Sequence, residues 1–564
     1  MHNAKGFFLQ FIALAGPYWN SEDKAVIRKQ ALALILLTIL QIAMAILINA
    51  WSADLFDALE QHSMTGLLKQ IGLLVLIFVA GILIISKHLT VKRSLQIGWR
   101  RWLTERVSSK WMDHGKQYQV IFMPGEHDNP DGRIAEDIRI VTEEAIQLLH
   151  SLFYSLLLLI SFTKILWTLS GTLTFTLAGT EIEIHGHLVW IAIIYAIGAS
   201  VLGWWVGRPL VSATNVRQTV EANFRFGLVK ARENSMAIAL IHGEGNEKER
   251  FKTLFEAISE AYDRQTLAWR DIMMFTSGYS VLSMAFPILV SAPRYVLGSI
   301  SLGALMQSAQ AFQHMASALS WPVDNMAAVA NWRASADRVL GLVQALSHLE
   351  EEIACAGQDR ICLSKSQLPV LSVHDLCLTK QDGEVIASGI DLEVKPFERV
   401  LVNGNTATGA RLFKAIVGLW PWGSGRIELP DDEPMFFMPP RPYLPSGTLR
   451  EAICYPHRPD DFSTAKLKET LNKVGLGELQ EQLDGVENWE TALSREQQQR
   501  LGAVRLLLDR PKWILLQEAF DSLDPRGEVE MLRLIREELP EAAMLTITNQ
   551  PTADAFHQRR IVLP

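Results

Sequence analysis

Apolar residues gather into six runs long enough to cross a bilayer, a crossing that takes about 20 residues. They cover residues 31–51, 70–86, 146–169, 188–206, 273–290 and 301–321. The first four are almost uninterrupted, whereas the last two carry more Ser, Gln and His. Lysine and arginine sort between the intervening loops. Residues 87–144 hold Lys92, Arg93, Arg100, Arg101, Arg106 and Lys110, and residues 208–270 hold a second set from Arg217 to Lys252. By contrast 52–69 has one lysine, 171–186 has neither basic residue, and 291–300 has only Arg294. The positive-inside rule then puts the two basic loops and both termini in the cytoplasm. Trp19, Trp51, Trp167 and Trp190 fall near span ends, as interfacial tryptophans do.

The two basic loops are too long for simple connections and read as helical, so the spans are expected to continue well beyond the bilayer. Residues 171–184, with a Thr run and alternating Glu and Ile, read as a small outer hairpin. Residues 6–19 read as an interfacial elbow helix or as a disordered leader. The N-terminus lacks the basic, apolar, then small pattern of a cleaved signal peptide.

After a polar linker at 348–369 the period changes. Residues 370–376, 385–394 and 399–403 are short β-rich runs broken by Gly, Asp and Pro. The expected organisation is a membrane domain at 1–347, the linker, and a soluble α/β domain at 370–564. Composition agrees with such a mixture. Mean hydropathy is +0.13, and 49% of the 564 residues are hydrophobic. The net charge of −8 argues against a nucleic-acid partner. All four cysteines (Cys355, Cys362, Cys377, Cys454) lie in the last third, which is no secreted disulfide framework and points to a reducing compartment.

Candidate chemistry begins behind the third of those runs. Gly404, Asn405, Thr406, Ala407, Thr408, Gly409, Ala410 and Arg411 link a strand to a helix at 412–418, the context of a phosphate-binding loop. Such a loop uses a Lys for the β/γ-phosphates and a Ser or Thr for Mg²⁺. Ala410 and Arg411 stand in those places, and a plain strand-to-helix turn explains the two glycines equally well. Further on come Leu493-Ser494-Arg495-Glu496-Gln497 ahead of a helix, then the apolar strand 513–516 ending in Gln517-Glu518. Ser522-Leu523-Asp524 and the strand 543–548 running into Asn549 complete the order.

This order and spacing resemble the nucleotide-binding domain of ABC transporters. The resemblance implies a helical membrane domain of ABC exporter type followed by an α/β P-loop domain, but with much of its chemistry replaced. Ala410 takes the Walker A lysine's place, Pro440 the Q-loop glutamine's, and Arg495 and Glu496 those of the signature glycines beside Ser494. Gln517 takes the place of the Walker B magnesium aspartate and Asn549 that of the switch histidine. Glu518, which would polarise the attacking water, and the D-loop Asp524 remain. No Tyr or Trp stands about 25 residues before the loop to stack on adenine, the family's usual device. Arg411 and Lys414 are the only nearby cations that could stand in for the lysine. Phosphoryl transfer is catalysed almost entirely by electrostatics, and losing one such group costs a factor of about 10² or more. ATP binding is therefore expected to be weak or lost, with no Mg²⁺ or other metal held. Each family site is shared between two domains, so neither a homodimer nor a heterodimer with a related half-transporter completes one.

The membrane half carries the resemblance further. Asn129-Pro130-Asp131-Gly132-Arg133-Ile134-Ala135-Glu136-Asp137 resembles the NPDQRIxxD segment of subfamily D ABC transporters and SbmA/BacA-like permeases, with Gly132 departing from the usual Gln. Phe224-Arg225, Arg232-Glu233-Asn234, residues 172–184, the 301–307 segment and Leu319-Ser320-Trp321 match similarly. The implied role is a dimeric transporter in a bacterial inner membrane, in contact with lipid and moving peptides or other small hydrophilic solutes. The alternatives are a proton-driven peptide importer with a regulatory or dimerising ABC domain, and a structural membrane protein that no longer transports. For a pathway, Gln307, Gln310 and His314 form a polar stripe in the last run. His314 serves a helix–helix hydrogen bond equally well. Asp54, Asp57 and Glu60 share a face after the first run, which a solvated outer surface also explains.

Overall fold

The computed structural model describes residues 2–123, 129–177, 180–354, 360–366, 368–380, 382–431 and 433–563. The chain forms two compact units: Met1–Ser108 with Asn129–Leu342, and Ser109–Asp128 with Val343–Pro564.

The first unit is helical. Among the described residues five helices are long and apolar enough to cross a membrane: Lys24–Glu60, Met64–Phe122, Pro130–Ser170, His187–Glu233 and Glu244–Val296. Even the shortest, at 37 residues, is about 55 Å long at 1.5 Å per residue. The helices thus outrun the apolar runs at their centres. The sixth run forms the 23-residue helix Leu302–Asp324, whose Ser, Gln and His content leaves it outside that apolar set.

Side chains are arranged for an apolar solvent. On Lys24–Glu60 the outward residues include Ile35, Leu36, Ile39, Leu40 and Leu47, while Leu34, Thr38, Ile42, Asn49 and Ser52 make a buried stripe. Hiding the polar members of that stripe suits lipid, which cannot satisfy them. Phe162, Leu166, Phe312, Met315 and Ala311 pack with Ile42 and Leu188 at the centre. The expected outer hairpin is present, with Thr172–Leu177 antiparallel to Thr180–His185. Arg294, in the last turn of Glu244–Val296, donates to the carbonyls of Leu169 (2.9 Å) and Ser170 (2.6 Å). It therefore caps the C-terminus of the Pro130–Ser170 helix, where a cation is favoured. Residues 6–19 are helical over His2–Ala15, followed by a 3₁₀ turn at Gly16–Asn20.

The second unit is α/β. Five parallel strands lie in the order Arg559–Val562, Arg399–Asn403, Ala543–Ile547, Trp513–Gln517, Met435–Met438. The Trp513–Gln517 and Ala543–Ile547 strands are buried at every position, as expected when both faces of a parallel sheet are covered. A second, mixed sheet orders Ile361–Ser366, Gly423–Pro430, Leu371–Thr379 and Val385–Val394.

The stretch read as a linker needs correcting. Helix Met326–Ala354 runs into it, and Ile361–Ser366 pairs along Gly425–Pro430. Polar residues misled the reading because one side of that edge strand is exposed. The basic loop 87–144 is also divided: residues 113–123 pack within the second unit. There Lys116 is held by Asp113 (2.7 Å) and Glu350 (2.8 Å). Gln119 donates to the Gly418 carbonyl at 3.0 Å, and Phe122 sits edge-on to Trp420 and Trp422.

Candidate functional site

The strands Arg399–Asn403, Trp513–Gln517 and Ala543–Ile547 are parallel, so Gly404, Glu518 and Asn549 emerge at one edge of the sheet. The carboxyl edge is where open α/β sheets place their ligands. Gly404 has φ +126° and its missing Cβ would lie 2.5 Å from the Leu563 carbonyl, so both backbone and space require glycine.

Behind it the chain does not form an open loop. Helix begins at Thr406 and runs to Val417. Asn405 is its N-cap, accepting from the amides of Ala407 (2.9 Å) and Thr408 (3.3 Å), while its carbonyl accepts from Gly409 at 2.9 Å. These amides are the orphan donors of a first helical turn, and an Asn cap satisfies them well. Asn549 closes the entrance. Its Oδ1 accepts from the Gly404 amide and its Nδ2 donates to the Gly404 carbonyl, both at 2.9 Å, with Thr406 Oγ1 at 3.2 Å. The nearby cations point elsewhere. Arg411 donates to the Ala407 carbonyl at 3.3 Å and lies 5.6 Å from the Trp420 ring; the Lys414 ammonium is 5.4 Å from the Tyr118 ring. Ala410 adds only a methyl group.

Gln517 is buried at the end of its strand. Glu518 follows in a left-handed conformation, φ +44°, with its amide donating to the Ile547 carbonyl at 2.9 Å. Burial, assisted by the Asp521 carboxylate, pushes the Glu518 carboxyl above its ordinary range. Asp524 is the N-cap of Pro525–Glu538, accepting from Gly527 at 2.8 Å. Ser494 is likewise a cap, in a reciprocal box with Gln497 at the start of Arg495–Asp509. The geometry therefore joins Gly404, Asn405, Thr406 and Asn549, sets Glu518 beside them, and engages Ser494 and Asp524 locally.

One residue the sequence reading passed over organises this edge. Gln499 is buried, donates to the Pro440 carbonyl (3.1 Å) and Asp521 (2.5 Å), and accepts from the Ser522 amide (3.0 Å). A run of three glutamines gave no sign of which faced inward; period 3.6 on the helix would have found it.

The proposed membrane stripe changes meaning. Gln310 donates to Ser52 at 2.8 Å, the Gln307 carbonyl accepts from Asn49 at 3.1 Å, and the His314 ring lies 4.4 Å from Phe162. The Gln310 side chain, the Gln307 backbone and the His314 ring thus each make a contact to a neighbouring helix. Asp57 accepts from the Gly303 amide and Glu60 from Leu302, each at 2.9 Å. Asp57 thus helps cap the N-terminus of the Leu302–Asp324 helix, where a carboxylate is favoured. Asp54 is exposed, as a solvated face requires. Sequence reading also missed His88 and His150, whose Nε2 atoms lie 2.8 Å apart. They are 62 positions apart on two different helices, and no local pattern links them.

The chain thus combines a polytopic helical unit with an α/β unit that carries a strand, turn and helix at its sheet edge. The comparisons specify it. A family model described as ABC transporter transmembrane region 2 matches residues 17–296. The inner membrane ABC transporter ATP-binding protein YddA of Escherichia coli is 32% identical, covering 96% of this chain and 95% of its own. The chloroplastic ABC transporter D family member 2 of Arabidopsis thaliana is 27% identical over 98% and 86% of the two chains. The structure of a bacterial Atm1-family ABC exporter with ATP bound superposes with TM-score 0.70 at 16% identity, covering 96% of this chain and 94% of that one. This chain belongs to the ABC transporter family, among its subfamily D-like members, and is a multi-pass membrane transporter.

Proposed function

We propose that the chain is a dimeric, SbmA/BacA-like transporter with six spans and cytoplasmic termini, moving peptides or other small hydrophilic solutes across a bacterial inner membrane. Its α/β unit is an ABC nucleotide-binding domain in which ATP turnover is weak or lost. The dimer is either of identical chains or with a related half-transporter. The carrying observation is that the amides a phosphate would use are already spent, on Asn549 at Gly404 and on Asn405 at Ala407 and Thr408. Those engaged amides disfavour a triphosphate, and Ala410 and Gln517 leave the lysine and the magnesium carboxylate unreplaced. The test is ATP-analogue binding and hydrolysis by the purified dimer, beside an Ala410→Lys, Gln517→Asp variant. Hydrolysis by the wild-type chain that disappears in Glu518→Gln would overturn the reading.

One observation favours a second reading, in which uptake is driven by protons and the ABC unit only dimerises or regulates. It is the His88–His150 contact inside the membrane unit, a polar pair of the kind that marks proton relays.

A further inference from the structure

Met64–Met112 and Ile138–Ser170 are long apolar helices, yet each turns a histidine toward the other. The Nε2 atoms of His88 and His150 are 2.8 Å apart and the ring centroids 4.4 Å. His88 is buried, and His150 Nδ1 is buried with no hydrogen-bond partner among the described residues. An N–H···N bond between neutral imidazoles requires one Nε2 to carry a proton and the other to offer a lone pair. The two rings thus hold opposite tautomers at the contact.

Two apolar cavities open to the surface, each of about 620 Å³, border the pair. One is lined by Gln41, Ile77, His88, His150 and Tyr154. The other is lined by Trp19, Trp99, His150, Trp321 and Trp332. His150 lines both, and apart from Tyr154 the two histidines are the only titratable side chains among all the lining residues. The charged neighbours on the packed elements can be named. From the first helix Lys92 lies one turn beyond His88 and donates to Gln147 at 2.9 Å; Lys87 and Arg93 are adjacent in sequence. From the second, Glu143 is taken by Arg100 and Arg139, and Glu144 lies beside it in sequence. The Lys24–Glu60, His2–Ala15, Leu302–Asp324 and Met326–Ala354 helices bring no charged residue to either lining.

We propose that His88 and His150 form a proton-binding site that joins or parts these two helices, and so controls passage between the cavities. One added proton goes to the free Nδ1 of the ring that donates at Nε2, and the Nε2–H···Nε2 bond becomes charge-assisted, which tightens the contact. A second leaves both nitrogens as donors, and the like charges, with Lys92 close by, drive the rings apart. The idea rests on the proton-driven reading for its role in transport, but the site itself is tested without transport.

The experiment uses the full chain in lipid nanodiscs with ¹⁵N-histidine, titrated from pH 8 to 3.5. The expected result is a pair of ring-nitrogen signals that shift together; His88→Gln or His150→Gln removes one member and leaves the other titrating alone, with His314→Gln leaving both in place. Spin labels at Leu83 and Leu156 should report a longer distance at the acid end in the wild type and no change in either Gln variant. Two histidine signals that titrate independently, or labels whose distance is the same at both pH values, would overturn the proposal. If one Gln variant does not fold, the other still makes the assignment. A pair that titrates jointly in a chain showing no proton-dependent uptake would retain the site and reject the transport reading.

Discussion

Asn549 holds Gly404 from both sides, accepting from its amide and donating to its carbonyl at 2.9 Å each. A side-chain amide offers the two roles on separate atoms, Oδ1 and Nδ2, so it can span the amide and the carbonyl together. Asn549→Ala removes both bonds and the contact to Thr406, and should lower the stability of the α/β unit by about 1–2 kcal/mol, given about 1 kcal/mol per net hydrogen bond. Asn549→Asp should be at least as costly, because a carboxylate cannot donate to the Gly404 carbonyl and repels it. The thermal unfolding midpoint of the full chain is the measurement. An unchanged midpoint in both variants would mean the grip contributes nothing.

Glu518 supplies a pH dependence of definite sign. Burial, with Asp521, raises its carboxyl above the ordinary range in the folded chain, so the folded state holds that proton more tightly than the unfolded one. The resulting stabilisation is full below the ordinary carboxylate value and is lost as pH rises through the raised one. At pH 7 to 8 the ionised group works against folding. Glu518→Gln should therefore raise the unfolding midpoint at pH 7.5 and have little effect near pH 4. A midpoint shift of equal size at both ends would contradict the assignment.

Much of this was legible in the sequence. Period and length located the apolar runs, and the alternation in 172–184 marked its hairpin, because each signal is local. The order of strand, loop and cap residues placed Gly404, Ser494, Glu518, Asp524 and Asn549 on the right elements. What those residues touch was not legible. Asn405 looked like one residue of a loop, and only a helix starting at Thr406 instead of Leu412 makes it a cap. Asp57 read as a pathway candidate because its partner, the Gly303 amide, lies 246 positions away. The stretch 361–366 looked like a linker since half of an edge strand faces solvent. His88 and His150 met no rule, as neither is unusual alone.

Asp137 and Arg338 lock the NPDGRIAED segment to the Met326–Ala354 helix. Arg338 Nε donates to Asp137 Oδ2 at 2.8 Å, and its Nη2 engages Oδ1 and the Ser335 hydroxyl. Arg133 adds a fourth contact at 3.3 Å. Burial pushes the Asp137 carboxyl up, and Arg338 with Ser335 and Arg133 overrides it, holding the group below its usual range. The lock therefore stabilises above the ordinary carboxylate value and weakens as pH falls through the depressed one. Arg338→Met should cost about 2 kcal/mol, less than a fully buried pair because the arginine is more than a third exposed. Arg338→Lys should recover little, since an ammonium cannot supply the two-pronged contact. The double variant Asp137→Asn, Arg338→Met should regain most of the loss in unfolding midpoint. If the double variant is no better than Arg338→Met, the buried carboxylate is not the cause.

Gly303 decides how closely the Leu302–Asp324 helix approaches Lys24–Glu60. A Cβ there would collide with the Ala53 carbonyl and the Asp57 carboxylate, and the Asp57 bond to the Gly303 amide depends on that closeness. The same seam contains the Asn49 contact to the Gln307 carbonyl and the Gln310 contact to Ser52. Interhelical hydrogen bonds in membranes are worth about 0.6 kcal/mol each, so no single one fixes the seam. Gly303→Ala should therefore do more harm than Gln310→Leu or Asp57→Ala, because it wedges the whole seam apart instead of removing one contact. Asp57→Asn should be milder still, keeping an acceptor for the amide while giving up the charge that favours a helix N-terminus. The expected order of loss in detergent unfolding midpoint is Gly303→Ala, then Asp57→Ala, then Asp57→Asn. A Gly303→Ala chain as stable as the wild type would show that the two helices do not meet at this depth.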